Sequence, residues 1–170
     1  MNVYKDVMRP TLILVAILLV VSTALVFTYK LTRQEIDEKA VLKEKIMMAK
    51  ELLPEADDFD VAGEVLVAKN GKGKVIQSSS KGYSSDVVLM FGVDMNNNLK
   101  GLKIISQQET PGLGTEIETE DFINRFIGKK APFAVKKVEN ATKIDALTGA
   151  TISSKAVCNA INKGVEGASK

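Results

Sequence analysis

The sequence has no histidine, no tryptophan and a single cysteine, Cys158. Without histidine there is no imidazole to act as acid or base near neutral pH, and none to ligate a metal. One cysteine cannot build a multi-thiolate metal site or hold an iron–sulfur cluster. A small buried hydrophobe on a helix is its default role, and the lack of a pair agrees with an exported domain without requiring one. A dominant charge is missing too. Lys and Arg number 23 against 21 Asp and Glu, a net +2 over 170 residues. The two signs are interleaved throughout, which leaves no nucleic-acid-binding face. Any demanding chemistry must therefore come from a borrowed group. What is present, 45% hydrophobic and 26% charged residues, suffices for one domain with its own core once a membrane segment is set aside.

That segment is the strongest signal in the chain. Residues 10–29, PTLILVAILLVVSTALVFTY, carry no charge, and a helix of this length, at about 1.5 Å per residue, spans roughly the 30 Å of a bilayer core. The run is too long for the apolar part of a cleaved signal peptide, and Ser22-Thr23-Ala24 is a poor cleavage site. Lys5 and Arg9 precede it while Lys30, Arg33, Lys39, Lys43 and Lys45 follow, so charge counting leaves the orientation open. The next stretch lacks Gly and Pro, pairs Glu35 with Lys39 and spaces Ile36, Ala40, Ile46, Met47 and Leu53 for one side, which predicts a helix to about Leu53 that stops at Pro54. The chain thus divides into an anchor at 1–30, a juxtamembrane helix at 31–54 and a domain at 55–170.

From residue 61 the pattern becomes that of strands. Runs of β-branched residues occur at 61–67, 74–77, 87–93 and 99–105, separated by NGKGK and by three asparagines at 96–98. The asparagine turn supplies positive φ, so 87–93 and 99–105 are expected to pair antiparallel. NGKGK reads as a turn and not a phosphate loop, lacking the third glycine and the following helix. A helix is expected at 118–127 with Phe122, Ile123 and Phe126 on one face, a strand near 133–138, and a last helix starting near Ser153 with Val157, Ile161 and Val165 as its buried stripe. The class is α+β: a membrane helix followed by a small domain with a largely antiparallel sheet and flanking helices.

Two loops remain. In SQQETPGLGTEIE, Pro111, Gly112 and Gly114 force a tightly turned backbone with Glu109 and Thr110 at its rim, which fits either a plain β-to-α connection or a close approach to a ligand. In DALTGATIS, residues 145–153, Thr148, Thr151 and Ser153 surround Gly149 and Ala150 just before the last helix. The hydroxyls fit helix capping, with Ser153 as N-cap, and equally a site for an anionic phosphate, drawn by unpaired N–H groups and the positive end of the helix dipole.

The segment from Asp145 to Thr151 resembles the flavinylation motif of membrane-anchored FMN-binding domains, in which the final Thr carries FMN through a phosphoester bond. Glu109-Thr110-Pro111-Gly112-Leu113-Gly114 resembles the ETPGLG loop of the same family, which includes the G subunit of the Rnf electron-transport complex and the C subunit of the sodium-translocating NADH:quinone reductase. The motifs follow in the order of the family, and the short length is more similar to the Rnf type. The resemblance implies covalent FMN on Thr151, a phosphate held near Thr148, Gly149, Ala150 and Ser153, and a flavin ring contacted by Glu109, Thr110 and Leu113. It implies maturation by a separate flavin transferase that uses FAD and recognises Asp145 with the Thr-Gly-Ala-Thr segment. It further implies electron relay within a ferredoxin:NAD oxidoreductase coupled to sodium or proton translocation, beside other membrane and redox subunits. The chain would then sit in a prokaryotic inner membrane, single-pass, with its FMN domain on the extracytoplasmic side. Other readings are a C-type quinone-reductase subunit, a freestanding extracytoplasmic FMN electron carrier, and, in a different class, a flavin-free anchored scaffold.

Overall fold

The computed structural model describes residues 8–168. Lys5, and the side chains at 30–39 that include Lys30, Arg33, Ile36 and the Glu35–Lys39 pair, lie outside the described residues. The chain separates into two compact units, 1–44 and 45–170. The first consists of the greater part of helix α1 (Arg9–Leu52), unbroken because nothing after Pro10 interrupts its hydrogen-bond ladder. Within it, Thr11–Tyr29 is apolar, exposed on every side and long enough to cross a membrane. Thr23 and Thr28 return their hydroxyls to the carbonyls of Leu19 and Ala24, so neither presents an unpaired donor.

The second unit is built on a five-stranded antiparallel meander. Its strands are β1 (Phe59–Ala62), β2 (Val65–Ala68), β3 (Gly73–Lys81), β4 (Asp86–Asp94) and β5 (Leu99–Ser106), in that spatial order. The β4–β5 hairpin pairs Phe91 with Leu102 and Gly92 with Gly101. Its turn has Asn97 at φ 62° and the Asp94 carboxylate accepting from the N–H groups of Asn96 and Asn98. The anticipated single strand at 61–67 is instead the β1–β2 hairpin. Gly63, at φ 66°, takes the positive dihedral that lets the chain reverse between Ala62 and Val65.

The sheet is covered on both faces, which explains why β4 is apolar in succession rather than in alternation. One face carries α3 (Thr151–Gly167), whose Val157 and Ile161 are fully buried against Ile76, Leu89 and Phe91; each such side chain contributes about 1.5–3 kcal/mol of apolar burial. The other face carries the last turns of α1. Gly92 and Gly101 lie side by side beneath it, and a Cβ on either would stand within 2.6 Å of the Leu52 carbonyl oxygen. Ala49, Leu52 and Leu53 are buried here with Phe59, Leu66, Val75 and Met90. Of the expected stripe, Leu53 is buried here and Ile46 packs partly against it, whereas Ala40 is exposed and Met47 is 60% exposed, so the docked face is turned away from part of the expected one.

The expected helix at 118–127 is shorter and starts differently: a 3₁₀ turn at Gly114–Glu118 leads into α2 (Glu120–Asn124). Phe122 and Phe126 are nevertheless fully buried, and Phe126 meets Phe133 edge to face with ring centres 5.2 Å apart. The strand expected at 133–138 reduces to β6 (Phe133–Ala134), paired parallel with β7 (Thr142–Lys143). Val138 beyond it is exposed. The Asn162 side chain accepts from the Phe133 N–H and donates to the Phe133 carbonyl, tying β6 to α3.

Candidate functional site

The two loops singled out in the sequence meet. Helix α3 begins at Thr151, two residues earlier than expected, and Gly149 before it adopts φ 77°. That conformation suits glycine, and a Cβ there would also press to 3.1 Å from a methyl of Leu113 in the other loop. A cavity of about 520 Å³ opens between them, lined by Tyr83, Thr110, Leu113, Gly114, Gly149, Ala150, Thr151, Ile152 and Ser153. Its size is that of a small-molecule or cofactor site. Leu113 and Ile152, both about half exposed, give it apolar walls. At its head the first turn of α3 has amides without intrahelical partners, and Ala150, in the N-cap position, offers no side chain to satisfy them.

Ser153 is not the N-cap. It lies within the first turn, 2% exposed, and its hydroxyl donates to Glu109 at 2.5 Å. Glu109 is likewise not at the rim: it is 4% exposed. Its carboxylate accepts from the N–H groups of Tyr83 at 3.0 Å, Ser84 at 3.0 Å and Ser85 at 3.2 Å. Gly82 and Gly114 flank it so closely that a Cβ on either would come within 2.6 Å of Glu109. Burial by itself would raise the Glu109 pKa, but the Ser153 hydroxyl and the three backbone N–H groups outweigh it and hold the carboxyl below its ordinary range. The group is thus an anion held by a hydroxyl and backbone N–H groups, with no ion pair to it among the described residues.

Asp145 and Thr148 are both exposed and outside the cavity lining. Asp145 pairs with Lys143 at 3.0 Å, and that hydrogen-bonded lysine holds its carboxyl below the usual range. The Asp145 carbonyl accepts from Arg125 at 2.9 Å. Three residues of the site carried no signal in the sequence. Tyr83 and Ile152 are exposed apolar positions at the cavity. Ser154, fully buried, accepts from the Leu147 N–H and donates to the Ala150 carbonyl, which fastens the loop to the helix behind it. Nothing in KGYSSD beyond a turn composition marks its amides as partners of Glu109.

Residues 82–166 match the FMN-binding domain family. The G subunit of an ion-translocating oxidoreductase complex from Methanosarcina acetivorans is 30% identical over 95% of this chain and 94% of its own length. The chain belongs to the FMN-binding domain family, among these G subunits. The G subunit of the Na(+)-translocating ferredoxin:NAD(+) oxidoreductase complex of Acetobacterium woodii is also 30% identical, over 96% of this chain and 92% of that protein. Among solved structures, the C subunit of the Na(+)-translocating NADH-quinone reductase from Parabacteroides distasonis superposes with a TM-score of 0.52 at 28% identity, covering 62% of this chain and 59% of that one. The residues of this family member fit the group the family is named for. The free amides of the first turn of α3 suit a phosphate, and the Leu113 and Ile152 walls suit a flat apolar ring system. Among the described residues no cluster of His, Cys, Asp or Glu could hold a metal ion.

Proposed function

We propose that this chain is a membrane-anchored flavoprotein subunit of an Rnf-type ferredoxin:NAD oxidoreductase, with FMN esterified to Thr151 and electrons relayed through it. The observation that carries the reading is the meeting of the ETPGLG and DALTGAT loops around one cavity with Thr151, exposed, in its wall. Bound FMN would supply reversible electron transfer, chemistry for which a chain without histidine and with one inert thiol has no group of its own. Burial pushes the Cys158 thiol up to about 12, which keeps it from thiolate chemistry.

A separate flavin transferase would join Thr151 Oγ1 to the FMN phosphorus of an FAD donor, the pyrophosphate link breaking and AMP leaving with the proton of the hydroxyl. The amides at the start of α3 then hold the phosphate charge. Thr110 and Leu113, which line the cavity, would border the ring, and the exposed Asp145 lies outside the cavity lining, where a transferase could reach it. Thr11–Tyr29 crosses the inner membrane of a prokaryote and the domain lies on the extracytoplasmic side, beside the other membrane and redox subunits. Peptide mass spectrometry of protein co-produced with the transferase tests the assignment. The FMN mass is expected on Thr151; finding it on Thr148 or Ser153 moves the attachment point, and finding none removes the function.

A further inference from the structure

We propose that Glu109 is a positioning residue that shapes the flavin cavity and sets the electrical field inside it. The inference rests on the functional reading above and extends it to a group behind the cavity wall. Three segments of that wall meet at this one carboxylate. One oxygen accepts from the amides of Ser84 and Ser85; the other accepts from the Tyr83 amide and the Ser153 hydroxyl. Tyr83, Gly114 and Ser153 all line the cavity. Glu109 therefore joins the loop after β3, its own loop and the first turn of α3, elements far apart in the chain. The room for it is cleared by Gly82 and Gly114, neither of which could carry a Cβ without striking it.

A neutral amide of the same shape cannot do this. A glutamine offers one acceptor oxygen where the carboxylate offers two, so it must fail one of the two donor pairs. The charge also matters. A carboxylate 4% exposed is little screened by water, and reduction adds electron density to the neighbouring flavin, so the anion opposes reduction and holds the potential down.

The experiment compares wild type, Glu109→Gln and Ser153→Ala, each unloaded and each loaded with FMN by the transferase. In unloaded Glu109→Gln at least one of the Tyr83, Ser84 and Ser85 amides should exchange its hydrogen about tenfold faster or more, as follows from losing a hydrogen bond to a charged acceptor. Covalent loading, read by intact mass, should slow, and the midpoint potential of the loaded fraction should move positive. Ser153→Ala keeps the charge and all three amide bonds, so the amides should stay protected and its potential should move less than that of Glu109→Gln. A variant that melts earlier with unchanged loading and potential would reduce Glu109 to a structural tie and overturn the proposal, as would unchanged amide exchange. If Glu109→Gln does not fold, Glu109→Asp, which keeps the charge and withdraws it by one methylene, takes its place with the same readouts and the same sign of amide change. Wild type without any FMN mass would instead defeat the functional reading, and the amide exchange of the unloaded proteins would still decide whether Glu109 holds the wall.

Discussion

Two carboxylates stand in the two motifs of this protein, and the fold treats them in opposite ways. Glu109 is turned inward, 4% exposed, and bound by four donors drawn from two other segments of the chain. Asp145 is turned outward, its side chain 79% exposed, with the neighbouring Lys143 as its partner. Both ionise more readily than usual, for different reasons. In Glu109 a hydroxyl and backbone dipoles overcome burial, whereas in Asp145 an exposed lysine supplies a hydrogen bond and then its charge, at a surface where salt screens it. The same residue class in two motifs therefore divides into a group that builds the site and a group that a second protein can read.

The largest effect should come from the atom that neither carboxylate replaces. Thr151→Ala is expected to abolish covalent FMN while leaving both carboxylates in place, because Thr151 is exposed at the first position of α3 and makes no capping bond there. The fold should change by no more than about 0.5 kcal/mol, as for surface substitutions generally. Thr151→Ser keeps the nucleophilic oxygen with a freer χ1 and should load in part. Intact mass and a thermal melt on the same samples check both statements. Covalent FMN persisting in Thr151→Ala would place the attachment elsewhere.

Next in size is the buried carboxylate itself. Glu109→Ala strands three amides and a hydroxyl, and should destabilise the domain by roughly 2–4 kcal/mol. The pH dependence follows from the direction of the shift. Since the folded carboxyl titrates below its ordinary value of 4.5, its stabilisation is complete above that value and drains away as pH falls through the lower, folded pKa. Melts taken from neutral pH downward should show an acid loss in wild type that is smaller in Glu109→Gln, at low and high salt alike. Parallel acid limbs in the two proteins would show that Glu109 is not the group titrating.

Asp145→Asn should do the reverse. Removing an exposed charge paired with one lysine leaves the melting temperature nearly unchanged, yet the fraction of protein carrying FMN should fall in cells that supply limiting transferase. Raising the transferase level should restore it if recognition is what was lost. A fall in stability with normal loading would erase the contrast between the two carboxylates.

The sequence shows this contrast only in part, and the reason is distance along the chain. The β4–β5 hairpin was legible because its cues are local: a run of apolar residues on each side and asparagines where φ is positive. The same holds for α3, whose Val157 and Ile161 stripe needs only a helical period. Ser153 misleads because a serine near a helix start fits the capping pattern, and what turns it inward is Glu109, 44 residues earlier. Gly63 splits one expected strand into two because a single glycine at the right dihedral outweighs the β propensity around it. The phase of the docked stripe on α1 depends on where Gly92 and Gly101 open the sheet, which no periodicity in the helix records. Patterns within one element were readable, whereas the pairing of a side chain with a distant loop was not.

The smallest effect should lie beside the buried carboxylate, at its neighbour in the motif. Thr110 is exposed and lines the cavity while Glu109 is hidden behind it, so one step along the chain passes from the residue that supports the wall to one that faces the ligand. The Thr110 carbonyl accepts from the amides of Leu113 and Thr115, and those backbone bonds shape the loop whatever the side chain is. Thr110→Val keeps the branched shape and removes only the hydroxyl. Amide exchange at Tyr83, Ser84 and Ser85 should therefore match wild type, covalent FMN should remain on Thr151, and the flavin absorbance or midpoint potential should shift slightly, by less than in Glu109→Gln. Spectra and potentials identical to wild type would remove Thr110 from the flavin's surroundings. A shift as large as that of Glu109→Gln, with the three amides still protected, would mean that the hydroxyl at the cavity and not the charge behind it tunes the flavin.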